Sequence, residues 1–106
     1  MVLRQLTDAT FEQFLREHPR VVVDFWAPWC HPCIMLEPRF AAVSATFRGR
    51  IAFAKLNTDE NPKTMNRFHI RLWPTLVAIK DQIVVDRMEN PESKAELTKF
   101  VASAFE

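Results

Sequence analysis

The sequence predicts an α/β fold built on a mixed central sheet, parallel first and antiparallel at one edge. Three observations predict it. Strand-like and helix-like apolar patterns alternate along the chain, the order that layers helices over a largely parallel sheet. The segment Val21-Val22-Val23-Asp24-Phe25-Trp26 is apolar on both parities, as a strand covered on both faces must be. Two later strand-like segments are joined only by Lys80-Asp81-Gln82, a link short enough to force an antiparallel hairpin.

The elements then follow in order. Val2 to Leu6 reads as a short first strand. Thr7 or Asp8 is placed to cap a helix carrying Phe11, Phe14 and Leu15 on one face, and Pro19 ends it. Val21 to Trp26 is the central strand. From Cys30 to Phe47 the pattern is helical, with Ile34, Phe40, Val43 and Phe47 read as its inward side; Pro38 inside that run predicts a kink. Arg48-Gly49-Arg50 breaks the helix, and Ile51 to Leu56 is a further strand. Asp59 is placed to cap a short helix reaching Phe68, with Pro62 in its first turn. Thr75 to Ile79 and Ile83 to Arg87 are the hairpin strands. Ser93-Lys94-Ala95-Glu96 is a capping box that opens a last helix with Leu97, Phe100 and Val101 inward.

The 106 residues leave room for one domain, expected to span 1–106. An apolar share of 48% and a charged share of 25% can fill a core, which excludes a disordered chain. Fourteen Lys and Arg against thirteen Asp and Glu leave a formal charge of +1, no footprint for nucleic acid or an anionic membrane. No apolar run approaches the roughly 20 residues that cross a bilayer. Met1 to Leu6 lacks a basic segment followed by a long apolar one, so no signal peptide is expected. Glycine occurs once, at Gly49, where ordinary usage would give about seven. Tyrosine is absent beside nine Phe and three Trp. The core is therefore aromatic, and the turns must do without glycine.

The chemistry concentrates in Trp26-Ala27-Pro28-Trp29-Cys30-His31-Pro32-Cys33, where the central strand hands over to a helix. Two cysteines at i and i+3 in a first helical turn approach closely enough to close a small disulfide ring. The unpaired N–H groups and partial positive charge of a helix N-terminus favour a thiolate. Such settings lower a cysteine pKa from about 8.5 into the range of roughly 3.5–7.5. Cys30 is expected as the exposed nucleophile and Cys33, one turn deeper, as the resolving cysteine. His31 and Pro32, between them, are the candidates for tuning the redox potential. Half a zinc site and two inert cysteines are the competing readings. A structural zinc usually takes four ligands, and beyond the pair the chain offers only His18, His31 and His69. No metal or bound cofactor is expected.

Asp24 is the one charge in a run apolar on both faces, so it should be neutral or paired. Lys55 shares strand parity with Ile51 and Phe53 and points to the buried side too, which suggests Lys55 as the partner of Asp24. Desolvation would raise the Asp24 pKa and Lys55 would lower it. A carboxyl so held can exchange a proton with Cys33; a purely structural ion pair is the alternative. Trp26 reads as core, and Trp29 as an apolar rim for substrates. Phe25, Phe40 and Phe53 read as core, and His18 and His69 as structural or surface residues.

Val-Asp-Phe-Trp-Ala-x-Trp-Cys-x-Pro-Cys, here Val23 to Cys33, resembles the active-site segment of thioredoxins. The resemblance continues through Met35, Pro38, Ala54 to Asp59, Asn61-Pro62 and Ile70 to Leu76, covering essentially the whole chain in order. It implies a thioredoxin fold, a central mixed sheet of about five strands flanked by about four helices. It assigns the proton-transfer role to Asp24 and Lys55. It makes Pro74 a cis-proline beside the cysteines, with the backbone before it binding an extended substrate segment, so Trp29, Trp73 and Pro74 are the substrate-binding candidates. Four positions depart from the family pattern: His31 replaces glycine between the cysteines, and Trp73 replaces a β-branched or other small apolar residue before the cis-proline. Asp81 or Gln82 replaces the hairpin glycine, and Glu89 or Asn90 replaces the glycine after the last strand.

The function expected is disulfide reduction in protein substrates by a monomeric, cytoplasmic thioredoxin-like protein recharged by a thioredoxin reductase. A thiol oxidant or isomerase, favoured by His31, is the alternative within the class. A binding or assembly module on the same fold is the alternative outside it.

Overall fold

The structure, a computed structural model, describes residues 3–106. Met1 and Val2, the latter expected to start the first strand, lie outside the described residues. Among the described residues, five strands and four helices follow in the order β1 (Arg4–Leu6), α1 (Phe11–Glu17), β2 (Arg20–Trp26), α2 (His31–Thr46), β3 (Ala52–Asn57), α3 (Pro62–Arg67), β4 (Thr75–Lys80), β5 (Ile83–Glu89) and α4 (Lys94–Ala104). The sheet order is β1-β3-β2-β4-β5. β1, β3 and β2 run parallel, and β4 and β5 are antiparallel additions. β2 thus lies at the centre, as its two apolar parities predict.

Alternate β2 residues fill two separate layers. Val21, Val23 and Phe25 pack with Phe11, Phe14 and Leu15 of α1 and with Phe68. Val22 packs on the opposite face with Leu36, Phe40 and Val43 of α2 and Leu97, Phe100 and Val101 of α4. Asp24 and Lys55 share the parity of Val22 and Phe53, so both side chains enter the layer beneath α2.

Several local expectations hold. Pro62 occupies the first turn of α3, and the Ser93 Oγ accepts from the Glu96 N–H at 3.1 Å. Glu96 returns its bond to the Glu92 N–H rather than to Ser93, so only half of the capping box closes as read. The hairpin turn uses Asp81 and Gln82 at φ 49° and 68°, the left-handed conformation that glycine would supply at no steric cost. Pro38 stands inside α2, as the pattern placed it, and the helix continues past it.

Others need correction. Ile34 is 52% exposed rather than inward. At 3.6 residues per turn a spacing of six lands about 120° around the helix from Phe40, whereas Cys33, seven residues back, returns to the buried side. Neither Asp8 nor Asp59 caps the helix expected of it. The Thr7 Oγ1 accepts from the Thr10 N–H ahead of α1. The Asp8 carboxylate instead crosses to α3, accepting from the N–H groups of Lys63 and Thr64 at 3.2 and 2.8 Å and from the Thr64 hydroxyl at 2.7 Å. A fold contact thus supplies the cap that local sequence assigned to Asp59.

Among the described residues, no helix is long and apolar enough to cross a membrane.

Candidate active site

The strand-to-helix handover after β2 delivers the cysteines. Cys30 is the N-cap of α2, in an extended conformation, and Pro32 stands in the first turn, where its missing N–H leaves no donor unpaired. Cys30 and Cys33 are joined as a disulfide with their Cα atoms 5.3 Å apart. The Cys33 N–H donates to the Cys30 Sγ at 3.2 Å. A sulfur at an N-cap thus takes one of the helix's orphan donors, the contact that favours negative charge there.

The expected contrast in exposure between the two cysteines is absent from the disulfide state: Cys30 is 4% and Cys33 3% exposed. Trp26, Ala27 and Trp73 enclose the pair, which accounts for the burial of the first cysteine. His31 and Pro32 between them are exposed.

The three tryptophans converge here. Trp29 is 63% exposed, and its ring meets Trp73 edge to face at a centroid distance of 5.4 Å. The Trp29 indole N–H donates to Asp59 Oδ1 at 3.1 Å, and that of Trp73 to Thr58 Oγ1 at 2.8 Å. Asp59 and Thr58, in the turn just after β3, therefore orient both rings, a role the sequence reading did not give them. The Trp73–Pro74 peptide is cis, as the resemblance implied, and Pro74 is buried. The Pro74 carbonyl accepts from the Asn90 N–H at 2.8 Å. Asn90, at φ 50°, takes the left-handed position after the last strand, and Glu89 closes β5. Ile34 and Met35 on α2 and Leu72 before Trp73 are large exposed apolar side chains on the segments that carry the cysteines and Pro74. With Trp29 they make four large exposed apolar side chains on these segments, where the sequence pointed to Trp29 alone as an apolar rim.

Beneath α2 lie Asp24 and Lys55, neighbours in register across β2 and β3 and both buried. They do not form the expected ion pair. The Lys55 Nζ bonds Glu37 Oε1 at 2.9 Å and sits 4.7 Å from the centre of the Trp26 ring. Asp24 Oδ1 has no hydrogen-bond partner among the described residues. Burial pushes the Asp24 pKa up to about 7; the Lys55 charge opposes that shift and the Glu37 charge adds to it. The reason for the changed partner is reach. A lysine stem extends past the neighbouring strand toward the surface, where a half-exposed carboxylate costs less to desolvate than a second buried one. Glu37 follows Cys33 by four residues and so shares its helix face, a spacing that could have flagged it. Trp26, expected in the core, is half-buried, with its indole nitrogen buried and unpartnered among the described residues.

Among the described residues, no three His, Cys, Asp or Glu side chains are grouped to hold a metal ion. His18 bonds the Phe14 carbonyl through Nδ1 at 2.9 Å, and His69 lies on the surface.

A family model described as Thioredoxin matches residues 2–103. Thioredoxin 1 of Nostoc sp. is 41% identical over 96 residues, covering 90% of this chain and 90% of that protein. The thioredoxin of Synechocystis sp. is 43% identical over 94 residues, covering 88% of each. That of Pseudomonas aeruginosa is 39% identical over 97 residues, covering 91% of this chain and 90% of the relative.

Proposed function

The chain belongs to the thioredoxin family and is a thiol–disulfide oxidoreductase that reduces protein disulfides; on that premise we propose the role of each residue. The Cys30 thiolate attacks one sulfur of a substrate disulfide, forming a mixed disulfide and releasing the first substrate thiolate, which takes a proton from water. Cys33 then gives its proton to the Asp24 carboxylate and attacks the Cys30 Sγ. The second substrate thiolate leaves, and the Cys30–Cys33 disulfide closes. Two electrons have passed from the dithiol to the substrate.

The observation that carries the reading is the Cys33 N–H donating to Cys30 Sγ at the N-terminus of α2, because it supports charge on the first sulfur specifically. Trp29, Trp73 and Pro74 form the surface for an extended substrate segment, helped by Ile34, Met35 and Leu72. His31 and Pro32 tune the potential. Lys55 acts on Asp24 through charge rather than contact.

The reductase partner is a thioredoxin reductase, and the working form is a single-domain, cytoplasmic monomer. A net charge of +1 supports a role away from nucleic acid and anionic membranes.

Turnover on a disulfide-bonded peptide, with dithiothreitol recharging the protein, tests the assignment. The wild type should turn over repeatedly, and Cys30→Ser and Cys33→Ser should each abolish catalysis. Catalysis surviving in either variant contradicts the dithiol mechanism.

A further inference from the structure

Lys55 neighbours two carboxylates and makes an ion pair with only one of them. The pair formed is with Glu37 on α2, although Asp24 is the register neighbour on β2. We propose that Glu37 is a positioning residue for the exchange reaction: by holding the Lys55 ammonium at the helix surface it keeps Asp24 without a cationic partner, able to take up and release a proton. The proposal rests on the reading of Asp24 as the proton acceptor for Cys33.

The geometry supports it from three sides. The Glu37 side chain is 53% exposed and that of Lys55 only 5%, so the ion pair spans the boundary between the layer beneath α2 and solvent. Asp24 Oδ1 is left unbonded under that span. Glu37 stands one turn beyond Cys33 on the same helix, so one rigid element carries both the resolving thiol and the carboxylate that governs its acceptor. The charged groups acting on Asp24 are Lys55 from β3 and Glu37 from α2. β4 sets Leu76 beside it, and α4 packs Leu97, Phe100 and Val101 into the same layer.

The charges combine in one direction. With Glu37 neutral, Asp24 loses a repelling charge and Lys55 loses its competing partner. Both changes favour a permanently ionised Asp24, a weaker acceptor for a thiol proton. Glu37 therefore keeps the affinity of Asp24 for a proton near the working range, where an acid–base group is most effective.

The test follows release of the second thionitrobenzoate when the reduced protein reacts with its symmetrical disulfide, as a function of pH. Cys30 displaces the first, and the second leaves when Cys33 resolves the adduct. The wild type should show an inflection near pH 7. Glu37→Gln should move it toward acid by roughly half to one unit, whereas Glu37→Asp, which keeps the charge, should stay with the wild type. Asp24→Asn should lose that inflection. If Asp24→Asn loses it and Glu37→Gln leaves it in place, whatever happens to the melting temperature, the positioning role is overturned and the reading of Asp24 stands. An inflection near pH 7 that survives in Asp24→Asn overturns both.

Discussion

Asp24 and Lys55 lie side by side in register across β2 and β3, yet Lys55 pairs with Glu37 at 2.9 Å and leaves Asp24 Oδ1 unbonded. A buried acid whose Oδ1 has no hydrogen bond is a cost to the fold, and this acid is the group we propose as the proton acceptor for Cys33.

The first prediction follows from that cost. Burial raises the Asp24 pKa from 3.8 to about 7, with Lys55 opposing and Glu37 reinforcing the shift. Between those values the folded state keeps a proton that the unfolded state releases, so stability falls as pH rises from about 4 to 7. The full loss is about 4 kcal/mol at most, at about 1.4 kcal/mol per unit. Asp24→Asn should therefore melt higher than the wild type at pH 8 and flatten the dependence between pH 4 and 8. Lys55 is left with Glu37, so the substitution strands no cation. Urea unfolding at both pH values checks it, and parallel curves for the two proteins would count against the buried ionised acid.

Asp8 offers a prediction of opposite sign with pH. Although burial pushes its pKa up, the Thr64 hydroxyl, the Thr64 and Lys63 N–H groups and the Lys63 charge outweigh that and hold it below the usual carboxylate value. Its contribution is present above the unfolded pKa and lost as pH falls through the folded one. Asp8→Ala removes the cap of α3 and should cost about 1–2 kcal/mol at pH 7 and much less near pH 3. Denaturant midpoints at the two pH values measure it, and an unchanged midpoint at pH 7 would show that the cap contributes nothing.

These two acids mark where the sequence could and could not be read. β2 announced its central place because Val21 to Phe25 is apolar on both parities, and the family pattern located Cys30, Cys33 and the cis-proline Pro74. Ser93 was legible as a cap because its partner Glu96 is local. Asp8 was misread because its partners lie 55 and 56 residues away, beyond any local rule. Ile34 failed on helix geometry, since a spacing of six does not return to the same face. Adjacent strands suggested Lys55 for Asp24 correctly as neighbours, but the choice between two carboxylates depends on how deeply each is buried, which no one-dimensional pattern encodes.

His31 supplies a third prediction. An imidazole exposed beside Cys30 adds a hydrogen-bond donor next to the thiolate, where glycine would add none. A donor there favours the reduced form, so the wild type should be more oxidising than His31→Gly. An interaction of about 1 kcal/mol corresponds to roughly 20 mV for two electrons. Equilibration of both proteins against glutathione at one pH measures the gap. A His31→Gly potential equal to or above the wild type would remove His31 from the redox poise.

The division of labour between the cysteines is the central claim, and trapping tests it most directly. In the disulfide both cysteines are buried, so their roles rest on position: Cys30 at the N-cap receives the Cys33 N–H, and Cys33 sits in the turn behind it. Cys33→Ser, reduced and mixed with a disulfide-bonded peptide, should accumulate a stable adduct linked through Cys30, readable by mass spectrometry after proteolysis. Cys30→Ser should form little or none over the same time. An adduct forming through Cys33 in Cys30→Ser as fast as through Cys30 in Cys33→Ser would contradict the account.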